Sequence, residues 1–126
     1  MIDPSTFESA DSRLQDLYHI LKDGGFDVYM PDVKEGDCLS PYLVIKNDGG
    51  TKHSNYSTNI DLYSIMCYVP RRSYSQLEPL MVSVRNYMKE NARPLFDETG
   101  EVSPSYFDQD LNAHMISIEY RNYKKI

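Results

Sequence analysis

The run "PYLVIKN" constrains the fold of this chain more than any other stretch, because Tyr42, Leu43, Val44 and Ile45 are apolar in succession. Neighbouring side chains of a strand point to opposite faces, so this run needs cover on both sides and predicts a central strand. A second long strand is predicted from "NIDLYSIMCYVP". It places Ile60, Leu62, Met66 and Tyr68 on one face and Tyr63, Ile65, Cys67 and Val69 on the other, and Pro70 ends it. Upstream, "FDVYM" alternates Phe26, Val28 and Met30 against Asp27 and Tyr29 and stops at Pro31, and "DVKEGD" reads as a turn. A last strand over about 111–121 alternates His114, Ile116, Ile118 and Tyr120 with Met115, Ser117 and Glu119.

Two helices flank these strands. The first starts at an Asp3 cap with Pro4 in the first helical position, or at the pair Ser5 and Glu8. Phe7, Ala10, Leu14, Leu17, Tyr18 and Leu21 then share one face, and Gly24-Gly25 stops it. The second starts at a Ser75–Glu78 capping box with Pro79 in the opening turn. It carries Leu77, Leu80, Met81, Val84, Tyr87 and Met88 on its apolar face and ends at Arg93-Pro94. Residues 48–58, "DGGTKHSNYST", read as a long polar loop, and 95–110 as a turn-rich stretch with a short strand at 101–107. The expected architecture is α+β: a two-layer sandwich of two helices on a mostly antiparallel sheet of four to five strands. Its order is α-β-β-β-α-(β)-β, in one domain spanning residues 1–126.

At 126 residues such a domain buries roughly two-thirds of the surface its unfolded chain exposes. Eleven tyrosines and no tryptophan suit half-buried strand faces and broad contact surfaces. The net charge of −6 disfavours autonomous nucleic-acid binding, which rests on clustered Lys and Arg. Charge is uneven: residues 119–126 carry Arg121, Lys124 and Lys125 against Glu119, a net of +2 that leaves −8 elsewhere and reads as a solvated basic tail. Cys38 and Cys67 form no disulfide framework, the start of the chain has no signal pattern, and no run is long enough for a membrane span; reduced thiols and a cytoplasmic origin are expected.

No catalytic motif emerges. His19, His53 and His114 share no ligand spacing. Asp97, Glu98, Glu101, Asp108 and Asp110 offer oxygen ligands without the alternation of a calcium loop, and read as a solvated acidic surface. Cys38 has only Lys34 as a nearby cation, there is no G-x-S-x-G, and "DGG" is no phosphate loop. Neither an enzyme nor a cofactor is expected. The adjacent pair Arg71 and Arg72, straight after Pro70, has two readings: charged loop surface, or forks for carboxylates on another subunit. A surface with both patches can pair head-to-tail with its own copies and close into a ring.

The succession "LYHILKDGGFDVYMP", "SPYLVIK", "NIDLYSIMCYVPRRSYSQLEPLMVSVRNYMKE" and "SYFDQDLNAHMISIEYRNYKK" resembles the tail terminator, or tail-to-head joining, proteins of tailed bacteriophages, often labelled minor capsid proteins. The likeness spans nearly the whole chain and lies in element order and phrases rather than in a catalytic signature. It implies a hexameric ring at the head-proximal end of the tail tube, in the virion, with the tube protein and the head connector as partners. DNA would pass through the lumen without specific binding, and an acidic body would repel its phosphates. By position, the 48–58 segment (Lys52, His53, Tyr56) and the 95–110 segment (Asp97, Glu98, Glu101, Asp108, Asp110) are candidate ring or tube contacts. Arg71 and Arg72 are candidate intersubunit salt-bridge partners. A head-completion or neck protein is the nearest alternative, and a small-molecule-binding cellular α+β domain is one from a different class.

Overall fold

The computed structural model describes residues 12–52 and 58–125. Its elements are α1 (Ser12–Asp23), β1 (Val28–Tyr29), β2 (Tyr42–Lys52), β3 (Thr58–Pro70), a 3-10 helix (Arg71–Gln76), α2 (Leu77–Asn91), β4 (Asp97–Val102), β5 (Tyr106–Asp108) and β6 (Ala113–Lys125). The fold is α+β. The sheet runs β1-β2-β3-β6-β4, with β5 also pairing β6. All pairings are antiparallel except that of β1 with β2.

Both helices pack on one face of the sheet. Leu17 and Leu21 of α1 and Leu77, Val84 and Met88 of α2 join Leu43, Ile45, Tyr63, Ile65, Cys67, Val69, Ile118 and Tyr120 in one buried core. The odd-numbered half of the β3 alternation thus meets the helices, as the period-two pattern requires. Met66 and Tyr68 point the other way. There Tyr42, Val44, Ala113 and Met115 form a second cluster under Cys38 of the 31–41 segment. In that cluster the Tyr42 ring stacks on Tyr68 with centroids 5.1 Å apart, and the Lys34 ammonium lies 5.3 Å above Tyr42. The run Tyr42–Ile45 is therefore covered on both faces, and β2 lies between β1 and β3.

Several expectations change. The cap at Asp3 and the positions Phe7 and Ala10 lie outside the described residues; from Leu14 onward the apolar face of α1 packs as expected. Residues 48–52 belong to β2 rather than to a loop, since Gly50, Thr51 and Lys52 pair with Asp61, Ile60 and Asn59. The register shifts between Asn47 and Gly49, and Gly49 takes φ +102°, a conformation open to glycine. The extra residue, Asp48, meets the Ser64 hydroxyl and lies 3.4 Å from Lys46 Nζ. A bulge breaks the alternation that marks a strand, which is why this segment reads as a loop. The 95–110 stretch holds two short strands, which brings the sheet to six. The basic residues at the end of the chain sit on β6, paired to β3 as far as Thr58↔Lys125, and so do not form a tail.

The entry to α2 also differs. Gln76 caps the helix without a side-chain hydrogen bond, so the Ser75–Glu78 box is not made. The 3-10 turn that begins directly after Pro70 feeds the helix instead. Pro79 falls in the first turn, where no intrahelical bond needs its nitrogen. The helix ends at Asn91, just before a cis Arg93–Pro94 bond.

Helix α1 ends in a Schellman arrangement. Phe26 N–H donates to the Leu21 carbonyl at 3.2 Å and Gly25 N–H to that of Lys22 at 2.9 Å, with Gly25 at φ +85°. Tyr87 of α2 locks this corner: its hydroxyl donates to the Ile20 carbonyl at 2.7 Å and its ring meets Phe26 edge-on at 5.5 Å. A Cβ on Gly24 would stand 2.5 Å from Tyr87 Cζ. Gly24→Ala should therefore destabilise the fold by about 1–3 kcal/mol through overpacking. Tyr87→Phe should cost about 1 kcal/mol for the lost hydrogen bond. Urea unfolding measures both.

Burial pushes the Cys67 thiol up to about 12 and, as the main cause, the Tyr68 phenol to about 12, and it raises Tyr42 and Tyr120 as well. Groups whose folded pKa lies above the unfolded one hold their protons in the native state while the unfolded chain loses them. Their contribution is complete below the unfolded values, 9.0 for a thiol and 10.0 for a phenol, and declines as pH rises towards the folded values. Stability should fall from about pH 9 upward, with fully buried Cys67 alone contributing a slope approaching about 1.4 kcal/mol per pH unit. Denaturant titrations of wild type and Cys67→Ala between pH 8 and 11 should differ in this slope.

Candidate functional site

Strand β3 ends at Pro70, paired with Ala113, and the chain turns there into the 3-10 helix. Ser73 (φ −117°, ψ 31°) kinks that helix, and both Arg71 and Arg72 are exposed on it. The arginines thus sit on a short helical corner held by the end of the β3–β6 ladder, not on a loop.

Aromatic side chains brace this corner. His114 Nε2 donates to the Arg71 carbonyl at 3.1 Å, which sets the tautomer that carries its proton on Nε2. Its ring is packed edge-on by Tyr74 at 4.7 Å and by Phe107 of β5 at 5.2 Å. The Arg71 guanidinium lies 5.9 Å from the centre of the Phe107 ring, within cation–π range. The Tyr74 hydroxyl reaches Ser105 Oγ at 3.3 Å. Much of this apolar surface stays in solvent: Tyr74 is 56%, Phe107 37% and Leu39 88% exposed. Beside it Asp37, Leu39, Arg71, Arg72 and Asn112 border a shallow concavity of about 520 Å³. Among the described residues neither arginine has a carboxylate within 4 Å. Arginine with exposed aromatic rings is the composition enriched at protein interfaces, and it equips this corner to take up carboxylates and apolar side chains together.

The five carboxylates of the 95–110 segment are not gathered into one patch. Glu98 accepts a two-pronged pair of hydrogen bonds from Arg85 Nε and Nη2, both 2.8 Å, which hold that guanidinium firmly protonated. Asp97 lies 3.0 Å from Arg93 Nε. Asp108 closes the turn before β6, its Oδ1 accepting from the Asp110 and Leu111 amides at 2.9 and 3.1 Å. Glu101 and Asp110 are exposed. Asp108 and Asp110 share the arginine end of the sheet, because β5 pairs with the start of β6, whereas Asp97 pairs with Arg121 near its far end. Lys52 is the last residue of β2, and His53 and Tyr56 lie outside the described residues. No group of three or more metal-ligating side chains occurs among the described residues, and none of their helices is long and apolar enough to cross a membrane. His19 is exposed on α1 and packs against Tyr18.

Sequence reasoning missed the rings around Arg71, since Tyr74, Phe107 and His114 lie in three segments. It also missed a groove of about 510 Å³ between α2, β4 and β6, lined by Arg85, Lys89, Arg93 and Arg121. The spacing of Arg85, Lys89 and Arg93, four residues apart each time, was the legible signal for that groove. Neither the protein-family models nor the curated proteins with which the chain was compared match it.

Proposed function

We propose that the protein is a structural virion component of the tail-terminator kind, assembling with its own copies into a ring at the head-proximal end of a phage tail tube and joining tail to head connector. The exposed arginine–aromatic corner carries this reading: two arginines without intrachain carboxylate partners among the described residues stand beside exposed Tyr74, Phe107 and Leu39 on an acidic chain. Such a corner suits docking on carboxylates of a neighbouring copy. The resemblance of nearly the whole sequence to that family supports the same reading, as does the α+β architecture it implies.

On this reading the protein performs no reaction. It ends tube growth by covering the last tube ring and offers its opposite face to the connector. The acidic surface keeps the passing genome from sticking to the lumen, since DNA affinity rests on neutralising phosphates with cations. The double substitution Arg71→Glu and Arg72→Glu should weaken ring formation or tail joining about tenfold or more, with an unchanged melting curve, because both side chains are exposed. Light scattering in the presence of tail tubes, together with reconstitution of infectious particles, reads the effect. Equal assembly of variant and wild type rejects the role of the corner. A ring that seats on capsids but not on isolated tails rejects the terminator assignment.

A further inference from the structure

We propose that the groove between α2, β4 and β6 binds a compact multivalent oxyanion of the phosphate or polycarboxylate class. Arg85, Lys89 and Arg93 line it against two carboxylates, Asp97 and Glu98, and Arg121 of β6 borders it. Leaving Arg121 aside, these lining residues still carry a net positive charge, three cations against two carboxylates, on a chain whose total is −6.

Both carboxylates are matched within the groove, Glu98 by Arg85 and Asp97 by Arg93, so neither opposes an incoming anion with its full charge. The two bonds to Glu98 use two of the five N–H donors of Arg85 and fix the plane of the rest. Lys89 has no carboxylate within 4 Å among the described residues. The end of a helix favours a cation, which suits Lys89 near the end of α2, while Arg85 is placed by its pairing with Glu98. Lys89 stands one turn from Arg85, so the two can reach one anion from the same helix face.

The floor supplies an independent sign of a missing partner. Tyr120 lines the groove and is 2% exposed, and its hydroxyl has no hydrogen-bond partner among the described residues. A phenol buried in that state needs a partner, and burial keeps it protonated, so its O–H is available as a donor to an oxyanion. Met88 and Phe96 complete an apolar floor, where charge-assisted hydrogen bonds are stronger than in water. At about 510 Å³ the groove has the size of small-ligand sites. It lies against the C-terminal half of α2, whereas the 3-10 corner precedes that helix, and it shares no lining residue with the concavity there, so the proposal stands apart from ring assembly.

Titration calorimetry and thermal unfolding of the full chain with pyrophosphate and with citrate, against acetate at equal ionic strength, test the site. The expected result is saturable one-to-one binding of at least one multivalent probe, and the tighter of the two names the class. Lys89→Glu should weaken that binding at least tenfold. Tyr120→Phe should weaken it several-fold while leaving the unliganded melting temperature unchanged or higher, because it removes an unpartnered buried hydroxyl. Arg71→Glu should bind as wild type does. No saturable binding, equal stabilisation of wild type and Lys89→Glu, or acetate binding as tightly as the multivalent probes would overturn the proposal.

Discussion

The pairing of β3 with β6 along its whole length, Thr58↔Lys125 to Pro70↔Ala113, is the constraint on which the rest of the molecule depends. It is an uninterrupted antiparallel ladder, so the side-chain alternation of β3 is copied in phase onto β6. Ile65 opposes Ile118 and Tyr63 opposes Tyr120, all facing the helices. A slip of one residue would turn every one of these side chains to the other face. The β2–β3 pairing tolerates a bulge at Asp48 because it comes after the apolar run Tyr42–Ile45 has been seated.

The end of that ladder also places the functional corner. With Pro70 paired to Ala113, the chain must leave the sheet at once, and a 3-10 turn is the shortest way into α2. The same β6 terminus anchors His114 and holds β5 alongside, which puts Phe107 beneath Arg71. The corner is therefore rigid where it meets the sheet and exposed where it carries charge, as suits a docking element. The opposite end of β6 builds the basic groove, with Tyr120 on its floor. One strand thus serves two separate surfaces.

Much of the fold was legible because its strands and helices obey their own periods. The two-faced apolar run of β2, the alternation of β3 and β6, and the apolar faces of both helices each specify burial locally. The misreadings share a cause: in each, a local signal gave way to a tertiary contact. Gly49 and Gly50 look like loop residues, yet positive φ at Gly49 lets a bulge carry the strand onward. Ser75 and Glu78 have the spacing of a capping box, but the 3-10 turn already leads into the helix. Residues 97–102 have poor strand character and become a strand because β6 offers them an edge.

By itself the sequence determined the class, the central strands, which apolar residues share a face, and the oddity of two arginines after a proline. Those properties depend on neighbours within a few residues, where backbone geometry is periodic. Only the tertiary structure decided what surrounds the arginines and which carboxylates are already taken: Glu98 by Arg85 and Asp97 by Arg93, while Phe107 and His114 brace Arg71 from residues far along the chain. Charge pairing and ring packing act through space over a few ångströms, and no spacing along the chain encodes which distant segments a sheet will bring that close.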